Sequence, residues 1–128
     1  MNLLLDTHLL IWVASTPERL SSEALSLLQN ANYQLYFSAV NLWEITIKRR
    51  LERQDFRVDP SLLHRGLIEN GYTELAVTSF HCIALEQLPV IHKDPFDRML
   101  VAQAVSEGML LLTSDSVVAN YSGPIKLV

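Results

Sequence analysis

The strongest constraint in this chain is a pair of short leucine runs that each lead to a carboxylate. Leu3-Leu4-Leu5 stops at Asp6, and Leu110-Leu111-Leu112 passes through Thr113 and Ser114 to Asp115. Apolar runs of this length without polar alternation fit strands covered on both faces, as parallel sheets are and half-solvated antiparallel sheets are not. The strands expected on this basis are Leu3 to Leu5, Tyr33 to Phe37, Glu74 to Val77, Met109 to Leu112 and Ile125 to Val128. Helical spacing occupies Leu9 to Ala14, Ser21 to Asn30, Ala39 to Arg53, Pro60 to Asn70, Phe80 to Leu88 and Pro95 to Glu107. The alternation predicts an α/β fold with a mainly parallel sheet.

Local chemistry supports several of these boundaries. Asp59-Pro60 and Asp94-Pro95 each place an N-cap acceptor before a proline, which loses nothing by lacking an N–H at a helix start. Gly71 and Gly108 suit positions just past helix ends. No repeat, low-complexity tract or Gly/Ser linker interrupts the pattern, so residues 1–128 read as one domain. The 49% hydrophobic content is enough to build its core without disulfides, and Cys82 is the sole cysteine, which fits a reducing cytoplasm. No apolar run approaches the roughly 20 residues needed to span a bilayer, and Asp6 interrupts the start before a signal-peptide core forms.

The acids carry the functional signal. Ligands of open parallel sheets bind beyond the carboxyl ends of strands, where Asp6 and Asp115 are expected. Asp6 also has a purely structural reading as the N-cap of the next helix. Glu44 lies among Val40, Trp43 and Ile47, beside the expected inward face of an amphipathic helix, where it needs either a buried base or a metal ion. Asp94 and Asp97 fall at the N-cap and third position of the helix from Pro95. Both are open to a capping reading as well as a functional one.

Carboxylates from four segments sharing one cleft repel one another, and a divalent cation is the usual remedy. Oxygen donors without a Cys or His cluster select Mg2+ or Mn2+ over zinc. His8, His64, His81 and His92 show no metal-ligand spacing and read as surface or packed residues. The net charge of −4 argues against a surface that grips nucleic acid all over. Six of the ten basic residues nonetheless crowd into Lys48, Arg49, Arg50, Arg53, Arg57 and Arg65, directly after Glu44. That stretch is either a solvated face or a phosphate-binding flank.

In order along the chain, Leu3-Leu4-Leu5-Asp6-Thr7-His8, Ser38-Ala39-Val40-Asn41-Leu42-Trp43-Glu44-Ile45, Asp94-Pro95-Phe96-Asp97-Arg98-Met99-Leu100-Val101-Ala102-Gln103-Ala104 and Leu111-Leu112-Thr113-Ser114-Asp115 resemble the motifs of the PIN-domain nucleases. The Asp-Pro-Phe-Asp-Arg form and the short length are similar to the VapC-like toxins of type II toxin–antitoxin systems.

The resemblance implies a Rossmann-like, three-layer sandwich and places Asp6, Glu44, Asp97 and Asp115 on the family's acidic quartet. Thr113 falls at a position where the family has a hydroxyl near the metal, and Ser38 is a plausible helix cap. The activity implied is Mg2+- or Mn2+-dependent cleavage of RNA. Asp6, Asp97 and Asp115 are the expected ligands, Glu44 a ligand or the group orienting water, and Arg49, Arg50 and Arg53 the residues that carry flanking phosphates. The implied partners are a cognate antitoxin, with a cationic tail entering the acid cluster beside Trp43 and Ile47, and a second copy of the chain. Leu9, Trp12 and Leu20 are the residues expected at that dimer contact.

A PIN module that binds without cutting would be marked by a missing quartet acid, and all four are present. A phosphoacceptor is a third reading. Asp6 lacks the preceding acidic pair of a receiver domain and the Asp two residues later of a haloacid dehalogenase.

Overall fold

The computed structural model describes residues 1–128. The chain runs β1 (Asn2–Leu5), α1 (Thr7–Ser15), α2 (Ser22–Leu28), β2 (Gln34–Ser38), α3 (Ala39–Arg50), α4 (Pro60–Glu69), β3 (Thr73–Leu75), α5 (Ser79–Ala84), α6 (Pro95–Glu107), β4 (Leu110–Thr113) and β5 (Ile125–Leu127). The sheet order is β3-β2-β1-β4-β5, and every neighbouring pair is parallel. No helix is long and apolar enough to cross a membrane.

The leucine runs explain the layers. Successive side chains of a strand point to opposite faces. Leu3, Leu5 and Leu112 therefore enter one core with Leu9, Leu10, Phe37, Ile45, Leu63 and Leu67. Leu4 and Leu111 enter the other with Val40, Phe96, Leu100, Val101 and Ala104. Helices cover both faces, giving the expected three-layer sandwich. The five central leucines are fully buried, and each such side chain contributes roughly 1.5–3 kcal/mol relative to exposure. Helix α3 touches both cores, through Val40 on one side and Ile45 on the other, which seats its middle across the top of the sheet.

From β1 the chain builds β2 and β3 to one side, then returns through α6 to place β4 and β5 on the other. The point where the order reverses lies between β1 and β4, and the crevice above such a switch point is the natural ligand site.

Three expectations are corrected. The helix expected to reach Arg53 ends at Arg50, because Glu52 adopts φ +58° and the Glu52 and Arg53 amides turn back onto the Arg49 and Lys48 carbonyls at 2.9 and 3.0 Å. This Schellman closure usually takes glycine, and a glutamate there gives no sequence warning. The helix expected over Phe80 to Leu88 breaks into α5 and a 3-10 turn at Leu85–Gln87. Leu9 and Leu20, expected at a dimer contact, are spent inside the protomer with 2% and 8% exposure.

Candidate active site

Asp6 follows β1 and Asp115 lies just beyond β4, on adjacent strands in register with Leu5, the last residue of β1, opposite Leu112. Asp6 takes up the N-cap reading and also turns its second oxygen toward the end of β4. Its Oδ1 accepts from the Leu9 amide at 2.9 Å as the N-cap of α1. Its Oδ2 accepts from the Thr113 hydroxyl at 2.7 Å and the Ser114 amide at 3.0 Å. Burial pushes the Asp6 carboxyl above its ordinary range, and these three donors work in the opposite direction. Asp115 is more open and caps the following turn by accepting from the Val117 amide at 2.8 Å.

Glu44 hangs from α3 into the same crevice. The inward face of this helix is Val40, Asn41, Glu44 and Ile45, whereas Trp43, expected to flank Glu44 on that face, is 59% exposed. Ile47 lies on the open side as well. Glu44 Oε1 accepts from the Thr7 hydroxyl at 2.6 Å, and Thr7 Oγ1 in turn accepts from Asn41 Nδ2 at 2.9 Å. Asn41 also closes a capping box with Ser38 at the start of α3. One buried amide thus ties the top of β2 to the start of α1.

Helix α6 delivers the remaining acids. Asp94 is its N-cap, accepting from the Phe96 and Asp97 amides at 2.8 and 3.1 Å. Asp97, freed from capping, turns into the cluster. Its carboxyl is pushed up to about 8 by burial first, and then by the charges of Asp94, Glu44, Asp6 and Asp115. The four quartet acids and Asp94 are therefore electrostatically one group.

Two residues in the crevice are not assigned to it from the sequence, which places Lys48 in the basic stretch and leaves His92 a surface or packed residue. Lys48 Nζ lies 2.6 Å from Glu44 Oε2 and 3.4 Å from Asp94 Oδ2, over the Phe56 and Phe96 rings. Its spacing of four residues from Glu44 was the available signal. Burial opposes its charge, yet the Glu44 and Asp94 contacts prevail and raise its affinity for the proton. His92 Nε2 lies 3.0 Å from Asp97 Oδ2 and 3.5 Å from Asp115 Oδ2. No helical periodicity marks it, because it stands in the extended segment before α6. The Tyr121 hydroxyl receives the His92 amide at 3.0 Å and donates to its carbonyl at 3.3 Å, which fixes that segment.

The expected phosphate-binding arginines are not part of the acid cluster. Arg49 and Arg53 line a separate surface pocket with Glu52, Phe56 and Arg57, while Arg50 is exposed and does not line it. Phe56 joins the two regions, because its ring lies 4.9 Å beneath Lys48. A larger cavity, lined by Val13, Leu20, Leu28 and Tyr72 among others, is apolar and holds no carboxylate.

The donor set fits a divalent cation, with the His92 imidazole added to the oxygen donors expected from the sequence. Side-chain ligand atoms of His92, Asp97 and Asp115 all lie within 4.8 Å of one another. An aspartate whose carboxyl is raised to about 8 by burial and then by four neighbouring carboxylates marks a place where added positive charge is stabilising.

The model of the PIN domain matches residues 3–124. This chain belongs to the PIN-domain family. Among curated relatives, the PIN domain here is 26% identical over 121 residues to Ribonuclease VapC22 of Mycobacterium tuberculosis, covering 94% of this chain and 92% of the relative. It also shares its fold with the VapBC2 complex of Rickettsia felis bound to a promoter DNA fragment, at TM-score 0.74 and 12% identity, covering 99% of this chain and 98% of the other. DNA-bound VapBC of Salmonella typhimurium is similar at TM-score 0.67 and 17% identity, with 100% and 97% covered.

Proposed function

We propose that this single PIN domain is a Mg2+- or Mn2+-dependent endoribonuclease and the toxin of a toxin–antitoxin pair. The observation that carries the proposal is the convergence of Asp6, Glu44, Asp97 and Asp115 at the switch point, where burial first and the neighbouring carboxylates second push Asp97 up to about 8. A relative named as a ribonuclease supports the substrate class, and a structural neighbour named as a toxin–antitoxin complex supports an antitoxin partner.

A bound divalent cation supplies a water acidic enough to attack phosphorus and neutralises charge developing on the phosphoryl oxygens. Asp6, Asp97 and Asp115 supply the oxygen ligands. Thr113 and Ser114 hold Asp6 Oδ2 in place, and Tyr121 fixes the segment that carries His92 against Asp97 and Asp115. Asp97 would hold the ion as the carboxylate, so binding would be favoured as pH rises. Arg49 and Arg53 bind phosphates of the strand beyond the cut, one pocket away from the acids. A single-stranded RNA fits this cleft, because its backbone enters while unpaired bases splay outward.

The proposal includes a cytoplasmic setting, which the free Cys82 suits, and the homodimer implied by the resemblance. A monomeric mass by light scattering at micromolar concentration would contradict the dimer. The activity is tested with a fluorogenic single-stranded RNA and protein freed of contaminating nuclease. Cleavage with Mg2+ or Mn2+ and silence in excess EDTA are expected, and undiminished cleavage in EDTA would sink the metal mechanism.

A further inference from the structure

The acid cluster has two unequal halves. In one, Glu44 and Asp94 face each other across Lys48, whose Nζ lies 2.6 Å from Glu44 Oε2 and 3.4 Å from Asp94 Oδ2. In the other, Asp97 and Asp115 meet no lysine or arginine, and the side chain they share is the imidazole of His92. We propose that Lys48 is a built-in cation standing where a second metal ion would bind, so that the cleft takes one divalent ion and not two. The proposal rests on the metal-nuclease reading and goes beyond it by assigning Glu44, Asp94 and Lys48 their parts.

The geometry makes Lys48 hard to displace. Its ammonium lies 4.9 Å from the Phe56 ring centroid and 5.6 Å from that of Phe96, and its side chain is only 15% exposed. Cation–π contacts strengthen when desolvated. Glu44 is equally fixed. Its other oxygen takes the Thr7 hydroxyl at 2.6 Å, and Thr7 is held by Asn41. Both Glu44 oxygens are therefore engaged, one of them by a full positive charge. Asp6 also has both oxygens occupied, but only by neutral donors, and a carboxylate keeps lone pairs free for a ligand role alongside them.

In two-metal nucleases the second ion helps clamp the attacking and leaving oxygens. A lysine offers three N–H donors. Two of them satisfy Glu44 and Asp94, which leaves one for a phosphoryl oxygen. Lys48, held by Glu44 and Asp94, then supplies with a side chain the positive charge that a second ion would bring.

The test is the number of Mn2+ ions bound per chain, read by calorimetry and by electron paramagnetic resonance on full-length protein without RNA. Wild type is expected to bind one ion, Lys48→Gln two, and Lys48→Arg, which keeps the charge, one. Two ions in wild type, or one in both wild type and Lys48→Gln, overturn the proposal. No Mn2+ binding by wild type overturns the metal-nuclease reading itself, and the inference falls with it. A second comparison does not depend on Lys48→Gln folding. Glu44→Gln should leave the affinity of the single ion within about threefold, while Asp97→Asn weakens it by more than about tenfold. Equal losses in the two variants would reject the assignment of Glu44 to Lys48.

Discussion

The Thr113 hydroxyl donates to Asp6 Oδ2 across 2.7 Å, joining the end of β4 to the end of β1. Asp6 is buried, and burial raises its carboxyl, so each donor that favours the ionised form keeps it available as a ligand. Thr113→Val preserves shape and removes this donor. A hydrogen bond to a charged group is worth about 1.5–3 kcal/mol, so the acidic limb of the pH–rate profile should move upward by about one pH unit or more. Thr113→Ser should leave it in place. An unmoved limb in the valine variant would show that Thr113 does not tune Asp6.

The metal-free protein should lose stability as pH rises. Asp97 is raised from the ordinary 3.8 to about 8 in the folded state. Between those values the folded chain holds a proton that the unfolded chain has released, so stability is fully present below about 4 and is lost as pH climbs toward 8. Thermal melts in EDTA should show a slope in Tm over this window that Asp97→Asn flattens. Mn2+ should raise Tm more at pH 8 than at pH 5.5, because at lower pH the ion competes with the proton. Parallel pH profiles for wild type and Asp97→Asn would contradict the crowding.

Substrate affinity should separate from chemistry at the end of α3. Arg49 and Arg53 line a pocket linked to the acids through Phe56 but touch none of the quartet. Arg49→Ala and Arg53→Ala should raise KM with kcat nearly unchanged, and each should reduce the salt slope of RNA binding by roughly one contact. Arg50→Ala should do less, since Arg50 does not line that pocket. A fall in kcat alone would place these arginines in the reaction centre.

The sequence discloses the sheet because Leu3-Leu4-Leu5 and Leu110-Leu111-Leu112 allow only a strand covered on both faces. It discloses four acids because each follows a strand or opens or lines a helix at a recognisable place. It hides what depends on three-dimensional neighbours. Trp43 has the spacing of an inward residue, yet α3 is seated so that Asn41 and Glu44 take the inside and Trp43 remains 59% exposed. His92 belongs to no periodic element and reaches the acids from a segment whose backbone is hydrogen-bonded to Tyr121. Glu52 enters the left-handed region without a glycine to announce it. Lys48 was legible through its spacing from Glu44, but its local run of arginines presents it as one more surface charge.

Asp6→Asn tests the central claim most directly, because asparagine can still cap α1 while the ligand charge is lost. Cleavage of single-stranded RNA by wild type and Asp6→Asn should be measured side by side in Mn2+, with thermal melts to show that both are folded. The predicted result is a variant that remains folded, although its amide nitrogen cannot accept from the Ser114 amide as Oδ2 does, and that turns over at least about 100-fold more slowly. A well-folded Asp6→Asn that retains wild-type turnover would contradict the assignment of this acid cluster as the site of RNA cleavage.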